Sequence, residues 1–466
     1  MSNNTRTETD LLGSKILDNT HYFGIQTQRA IDNFQLSGKT MQSYPELIKA
    51  LAYTKASCAE ANYTQGLLSQ SKKQAITSAC EDIIKGDYNN HFVVDMIQGG
   101  AGTSSNMNMN EVIANVALEK IDHCKGQYQY LHPNTDVNMS QSTNDVYPSA
   151  VRLAILFKQQ DLLRSMNMLE QSFMVKAAEF DSIIKLARTQ LQDAVPMTLG
   201  QEFKGFASTI KEDVKLLSNT SALLQEINLG GTAVGTGINT LHGYSQLAIN
   251  HLAKATGIPF EPASDLIEAS SDMGAFVIYS AVLKRFALKL SKIANDLRLL
   301  SMGPRAGLSE IMLPARQPGS SIMPGKVNPV IPEAVSQCAY QVIGNDMAIT
   351  MAAEAGQLQL NAMEPLIAVN IFNSIELLTN ACNMFNNLCV QDIKANQTRC
   401  RDLLDGSLGL ITALNPHLGY ETSSRIAKEA LATGIPVITL IKDKNLLTHE
   451  QLHEILQPNK MTQPAH

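Results

Sequence analysis

The segment 318–333, PGSSIMPGKVNPVIPE, gathers four prolines, two glycines, a Ser pair, one Lys, one Asn and one Glu. It lies between two long apolar-periodic stretches, where a short connection would suffice. A long loop with Gly hinges and reactive side chains reads as a mobile lid that carries catalytic groups. Ser320 can act there as nucleophile or base, and the positive charge of Lys326 lowers the cost of its alkoxide. Asn328 can orient a carboxylate.

Three other polar segments interrupt the chain. In 98–111, QGGAGTSSNMNMNE, Gly99, Gly100 and Gly102 precede an apolar-periodic helix expected to begin near Glu111. Glycines followed by small hydroxyl and amide residues, Thr103 among them, expose backbone N–H groups that suit an anion. Taken alone, the segment reads better as an ordinary capped turn than as an anion site. In 139–148, MSQSTNDVYP, the side chains of Ser140, Ser142, Thr143 and Asn144 cluster donors and acceptors without a charge, and any of them can cap the helix that follows. In 187–202, Thr189, Gln190, Gln192 and Asp193 stand just before Pro196. That stretch reads as a polar loop between two helices.

Histidine placement narrows the chemistry. The ten histidines leave gaps from His132 to His242 and from His251 to His417, so neither the lid nor the two segments at 139–148 and 187–202 contain an imidazole. No G-x-S-x-G elbow occurs, and a Ser-His-Asp triad would need a distant His. Anion recognition by hydroxyls, amides and Lys326 is the better fit. One further motif, His449-Glu450-Gln451-Leu452-His453, has the H-E-x-x-H spacing of a zinc helix. Its third ligand is missing downstream, and Thr448 with Gln451 makes a capping box instead. No metal site is expected.

The elements that must position these groups are helices. Apolar residues recur every three or four positions through Val282, Phe286, Leu290, Ile293, Leu297 and Leu300, and again through Ile367, Ile371, Ile375, Leu378, Cys382, Phe385 and Cys389. A third stripe runs Ile155, Leu162, Met166, Leu169, Phe173, interrupted only by Gln159. Strand patterns are scarce. Stripes of this length point to a mainly α fold built on a long helical bundle. The 19 Met and absent Trp suit gap-filling between helices, and faces apolar on more than one side suggest a homo-oligomer. Three regions are expected: 1–143 with short helices and loops, 144–398 with the long helices, and 399–466 as a small helical module.

Composition excludes other classes. The chain has 466 residues, 44% of them hydrophobic and 17% charged, with a net charge of −6 and no basic stripe, so no nucleic-acid partner is expected. The first residues are polar with no apolar core of a secretory signal. The uncharged run 227–253 is broken by Gly, Asn, Thr and Ser, so no membrane span is expected. Seven cysteines without a C-x-x-C pair read as reduced thiols in a cytoplasmic protein.

The residues GSSIMPGKVNP (319–329) resemble the signature of the fumarase/aspartase superfamily, and the other polar segments match its remaining characteristic regions in order. YFGIQTQRAIDNF (22–34), GTGINT (235–240), NDLRLLSMGPRAGLSEI (295–311) and AAEAGQLQLNAMEP (352–365) extend the likeness over almost the whole chain. Gln190, VNPVIPE (327–333) and GQLQLNAMEP (356–365) are similar to the aspartase branch, while NPHLGYETSSRIAKEA (415–430) is shared with the class II fumarases. The resemblance implies three mostly helical domains, with central helices joining those of partner subunits in the core of a homotetramer, and composite active sites built from three chains. It implies reversible elimination of ammonia from L-aspartate, giving fumarate through an aci-carboxylate, with malate/fumarate hydration or a non-catalytic homologue as alternatives. Carried over by position, Ser320 would be the general base. Thr103, Ser142, Thr143, Asn144, Thr189 and Gln190 would bind substrate, and Lys326 and Asn328 would hold its carboxylates. No organic cofactor is required, because the substrate carboxylate is itself the electron sink. Some members respond to a divalent metal at a separate site, which no residue of this sequence marks.

Overall fold

Each of the three apolar stripes is buried along one helix face: Ile155, Leu162, Met166, Leu169 and Phe173 are all fully buried, and Gln159 is buried among them. The stripes from Val282 and from Ile367 are buried along their whole length. The protein is mainly α, described here from a computed structural model that covers residues 4–462.

The helices in chain order are α1 (Ile25–Asn33), α2 (Pro45–Thr64), α3 (Gln70–Lys85), α4 (Thr103–Lys120), α5 (Thr143–Glu179), α6 (Leu199–Thr220), α7 (Tyr244–Thr256) and α8 (Gly274–Leu300). They continue as α9 (Val330–Glu354), α10 (Glu364–Leu388), α11 (Gln397–Asp405), α12 (Leu410–Leu418), α13 (Tyr420–Thr433), α14 (Val437–Asp443), α15 (His449–Ile455) and α16 (Pro458–Met461). The strands form two-stranded sheets: β1 (Thr5–Asp10) with β2 (Gly13–Asp18), β3 (Ile184–Thr189) with β4 (Gln192–Thr198), β5 (Glu226–Ile227) with β6 (Glu261–Pro262), and β7 (Ile311–Met312) with β8 (Lys394–Ala395). All are antiparallel except β5–β6.

The chain divides into two compact units, and both draw on the long helices. The first comprises residues 4–163, Leu216–Lys284 and Gln341–Leu377. In it α2 packs against α3 and α7, and α4 against α1 and α3. The N-terminus of α1 is capped by two carboxylates from elsewhere: Glu8 accepts from the Ile25 amide, and Glu111 from the amides of Gly24, Gln26 and Thr27 and from the Thr27 hydroxyl. The four orphan N–H groups of a helix start are the natural partners of such an anion. Burial still pushes the Glu111 carboxyl up to about 7.

The second unit comprises Arg164–Lys215, Arg285–Tyr340 and residues 378–462. Phe173, Phe180, Phe203, Phe206 and Phe385 meet there in edge-to-face and tilted pairs. Its C-terminal helices enclose their own apolar cluster of Leu414, Ile426, Val437, Leu440, Ile441 and Leu452.

Three local expectations are corrected. The helix expected near Glu111 begins two turns earlier, at Thr103. The Asn-rich turns are stable because Asn106, Asn108 and Asn110 are buried and hydrogen-bonded to neighbouring segments. The stretch 187–202 is not a loop: it holds the end of β3, all of β4 and the start of α6. Region 1–143 also carries the hairpin β1–β2, which the scarcity of strand patterns had not suggested.

Candidate active site

The candidate residues of the first unit sit at two helix N-termini. Thr103 opens α4 after Gly102, whose φ of 91° and close approach to the Tyr147 ring both require glycine; a Cβ there would lie 2.5 Å from the ring. Thr103 is exposed, and its hydroxyl donates to the Gly100 carbonyl at 2.7 Å.

Thr143 and Asn144 start α5 with Ser142 just before it, and each is held. Ser142 Oγ accepts from the Asn144 amide at 3.3 Å. Thr143 Oγ1 accepts from Asn106 Nδ2 at 3.0 Å, which leaves the hydroxyl proton to be donated elsewhere. Asn144 Nδ2 donates to the Ala233 carbonyl at 2.8 Å. Pro148, four residues on, has no N–H for the Asn144 carbonyl, and Asn228 Nδ2 supplies the missing donor at 3.0 Å.

Beneath this segment lies a buried polar layer that sequence reading missed. Asp145 accepts from the amides of Ser142, Gly230 and Thr232, and burial raises its carboxyl to about 6 against those bonds. Lys55 Nζ donates to Asn138 Oδ1 at 2.8 Å and Gln141 Oε1 at 2.9 Å, and burial depresses its pKa to about 8. Asn106 and Asn110 donate to the same Asn138 oxygen. The one visible clue was a lone Lys inside the small-residue helix sequence ALAYTKASCAEA.

The second unit carries the remaining candidates on two exposed structures. Thr189 and Gln190 lie at the tip of the β3–β4 hairpin, whose two-residue turn places Gln190 at φ 55° and Leu191 at φ 63°. These are the dihedrals of a type I′ turn, built here without its usual Asn-Gly. The loop from Leu313 to Pro329 carries Ser320, Lys326 and Asn328. Its neck is closed by the Gly319 amide donating to the Lys326 carbonyl at 2.7 Å and by Asn328 Nδ2 donating to the Gly319 carbonyl at 2.9 Å. Arg316 ties its entry to the Leu388 carbonyl and the Asp392 carboxylate, both at 2.7 Å.

Within that loop, Ser320 Oγ accepts from the amides of Ile322 at 3.2 Å and Met323 at 3.1 Å. Two N–H donors on one hydroxyl oxygen favour its alkoxide, because they stabilise negative charge without reorganising. Ser320 and Lys326 line one open recess of about 500 Å3. The structure thus links Thr103 with 142–144 through Asn106, and Ser320 with Lys326 and Asn328 through the loop neck. No hydrogen bond among the described residues joins the hairpin tip to Ser320. Nor do the described residues hold a group of three or more His, Cys, Asp or Glu placed for a metal ion. His449 and His453 lie on α15, whose Thr448–Gln451 capping box is formed.

Comparison with known proteins bears on the whole chain. The profile of a family described as "Lyase" matches residues 16–344, and that of "Fumarase C C-terminus" matches 410–463. The chain is 59% identical to an aspartate ammonia-lyase of Pseudomonas canavaninivorans over 98% of its length and 97% of the relative's. It is 49% identical to that of Escherichia coli over 100% of its length and 98% of the relative's. A solved fumarate lyase:delta crystallin from Brucella melitensis, bound to cobalt, superposes with a TM-score of 0.96 at 55% identity, covering 99% of this chain and 100% of that one. A class II fumarase from Schistosoma mansoni superposes with a TM-score of 0.93 at 36% identity, with the same coverage.

Proposed function

The chain belongs to the fumarase/aspartase superfamily of lyases, and from that premise we propose how its residues carry the reaction. It is a carbon–nitrogen lyase that reversibly eliminates ammonia from L-aspartate to give fumarate. Relatives of that activity are 49–59% identical across the full chain, against 36% for the class II fumarase.

Ser320 is the base. The observation that carries this assignment is the pair of loop amides on its Oγ. A serine is a poor base at its free pKa, so the alkoxide needs those donors, the charge of Lys326 and exclusion of water. The alkoxide takes the proton from the carbon beside one carboxylate, and the electron pair moves into that carboxylate as an aci-carboxylate. The pair returns to form the C=C bond as the C–N bond breaks and ammonia leaves. Thr103, Ser142, Thr143, Asn144, Thr189, Gln190, Lys326 and Asn328 bind the two carboxylates and the amino group. Each good donor aimed at the developing charge supplies on the order of 3 kcal/mol. Because the substrate carboxylate accepts the electrons, no organic cofactor enters the scheme.

The site is composite in a homotetramer. This is supported by apolar side chains that one chain leaves exposed along its long helices, among them Met168 and Val175 on α5, Leu288 on α8, and Tyr340, Met347 and Met351 on α9. Division into regions 1–143, 144–398 and 399–466 belongs to the same reading. Seven free cysteines suit the reducing cytoplasm, and no described helix is long and apolar enough to cross a membrane.

The test is fumarate appearance by ultraviolet absorbance with L-aspartate in one cuvette and L-malate in another. Fumarate and ammonia from aspartate alone are expected; fumarate from malate alone would overturn the aspartate assignment. Gel filtration should give four times the mass of one chain.

A further inference from the structure

Glu310 has no assigned role in the chemistry above, yet its buried carboxylate meets two cations: Oε1 accepts a hydrogen bond from Arg188, and Oε2 has an ion-pair contact with Lys185 but no hydrogen bond among the described residues. Its side chain is fully buried, with Lys185 Nζ at 2.9 Å from one oxygen and Arg188 Nη1 at 2.8 Å from the other. Lys185 is also paired with Glu202 on α6 at 2.6 Å. The main chain of Glu310 is equally engaged. Its amide donates to the Leu300 carbonyl, and its carbonyl accepts from the Asn396 amide and the Cys400 thiol.

The two cations come from β3, the strand that ends in Thr189. Residues of odd separation on a flat strand face opposite sides, so Lys185 and Arg188 would not ordinarily share a partner. Between the pairs Leu186–Pro196 and Arg188–Asp193, however, the hairpin steps two residues on β3 and three on β4. A bulge of this kind bends and twists the ribbon and re-aims side chains near functional sites. Here both cations reach one carboxylate. The chain leaving Glu310 runs through β7 directly into the loop that carries Ser320.

We propose that Glu310 is a positioning residue that sets the Thr189–Gln190 hairpin tip against the root of the Ser320 loop, through Lys185 and Arg188. The proposal rests on the reading of Thr189, Gln190 and Ser320 given above. A buried ion network adds little to stability compared with apolar packing of the same volume, and its best-attested use is to fix one arrangement among several. The arrangement fixed here is the relative placement of two candidate segments that no other hydrogen bond among the described residues joins. The carboxylate has two oxygens and two cations from one strand, so both its charge and its length matter.

The experiment compares Glu310→Gln, Glu310→Asp and the milder Arg188→Gln with the unchanged protein, by steady-state kinetics on L-aspartate and by amide hydrogen exchange. Glu310→Gln is expected to raise KM about tenfold and lower kcat by at least as much. Exchange should quicken at 186–193 and 313–320 and stay unchanged in α2–α4. Glu310→Asp, with charge kept and reach shortened, should recover part of the loss in KM. Arg188→Gln, which leaves the Lys185 pair in place, should raise KM severalfold and covers the case in which the Glu310 variants fail to fold. Unchanged KM, with kcat falling only in proportion to the folded fraction, would overturn the proposal, as would exchange that rises evenly over the unit. If the unchanged protein makes no fumarate from aspartate, the catalytic reading fails, while localised exchange in the variants still supports the mechanical link.

Discussion

The segment Ser142–Asn144 and the segment 319–328 are both candidates for holding the same small diacid, and they are built in opposite ways. The first rests on a buried polar layer in which Asp145 accepts from three backbone amides, Lys55 and Asn106 donate to Asn138 Oδ1, and Asn106 also donates to Thr143. The second is mostly exposed and is fixed at its neck, with Ile322 84% exposed and Ser320 held by amides of its own loop. A binding surface benefits from geometry fixed before the ligand arrives, because ordering it afterwards would subtract from affinity. A base that must be shielded from water during proton transfer needs a segment able to move over the substrate. The contrast separates positioning from reaction.

That contrast can be broken most decisively at Ser320. Ser320→Ala should cut turnover by about 10³ while leaving the unfolding midpoint where it was, since the loop contributes nothing to the core. Retained turnover would remove Ser320 from the mechanism. Lys326→Ala should lower kcat/KM by about a hundredfold, again with stability changed by less than about 0.5 kcal/mol, because the side chain is exposed. A fall in unfolding midpoint in either variant would contradict the view of a loop independent of the core.

The buried segment should respond in the reverse sense. Asp145→Asn puts an amide NH2 against backbone donors and should destabilise the protein by about 2 kcal/mol in denaturant unfolding at neutral pH. The pH dependence sharpens this. The folded-state pKa of Asp145, about 6, lies above its ordinary 3.8, so the folded protein binds the proton more tightly. This contribution to stability is full below 3.8 and is lost as pH rises through 6. Asp145→Asn should remove that part of the decline, and its deficit relative to the unchanged protein should widen as the medium is made more acid. An identical pH slope in both proteins would show that Asp145 is not buried as described.

The smallest expected effect is at the hairpin tip. Leu191 occupies φ 63° with a side chain 71% exposed, so Leu191→Gly relieves left-handed strain without losing packing. A gain of about 1 kcal/mol is expected, read as a slightly higher unfolding midpoint. A loss would mean that Leu191 is covered in the assembled protein.

Much of this architecture was legible from pattern alone. The stripes through Ile155, Val282 and Ile367 became buried helix faces because a 3.6-residue period leaves an apolar side chain no other place to go. The lid was legible because four prolines and two glycines cannot continue a helix. The β3–β4 hairpin was not, since its turn residues, Gln190 and Leu191, carry no turn preference and tertiary pairing overrides that. The early start of α4 was missed for a related reason. Asn106, Asn108 and Asn110 are indifferent helix formers whose cost is offset by partners distant in sequence, namely Thr143, His91 and Asn138.

The sequence by itself determined the helical class, the lid and the inventory of uncharged donors with one lysine, because periodicity, proline and side-chain chemistry are local properties. Only the tertiary structure decided that Ser320 Oγ meets two amides, that Asn228 serves the carbonyl Pro148 leaves unpaired, and that Lys185 and Arg188 converge on Glu310. Those are hydrogen bonds and ion pairs whose strength depends on distance and burial. Neither quantity exists until the chain has folded.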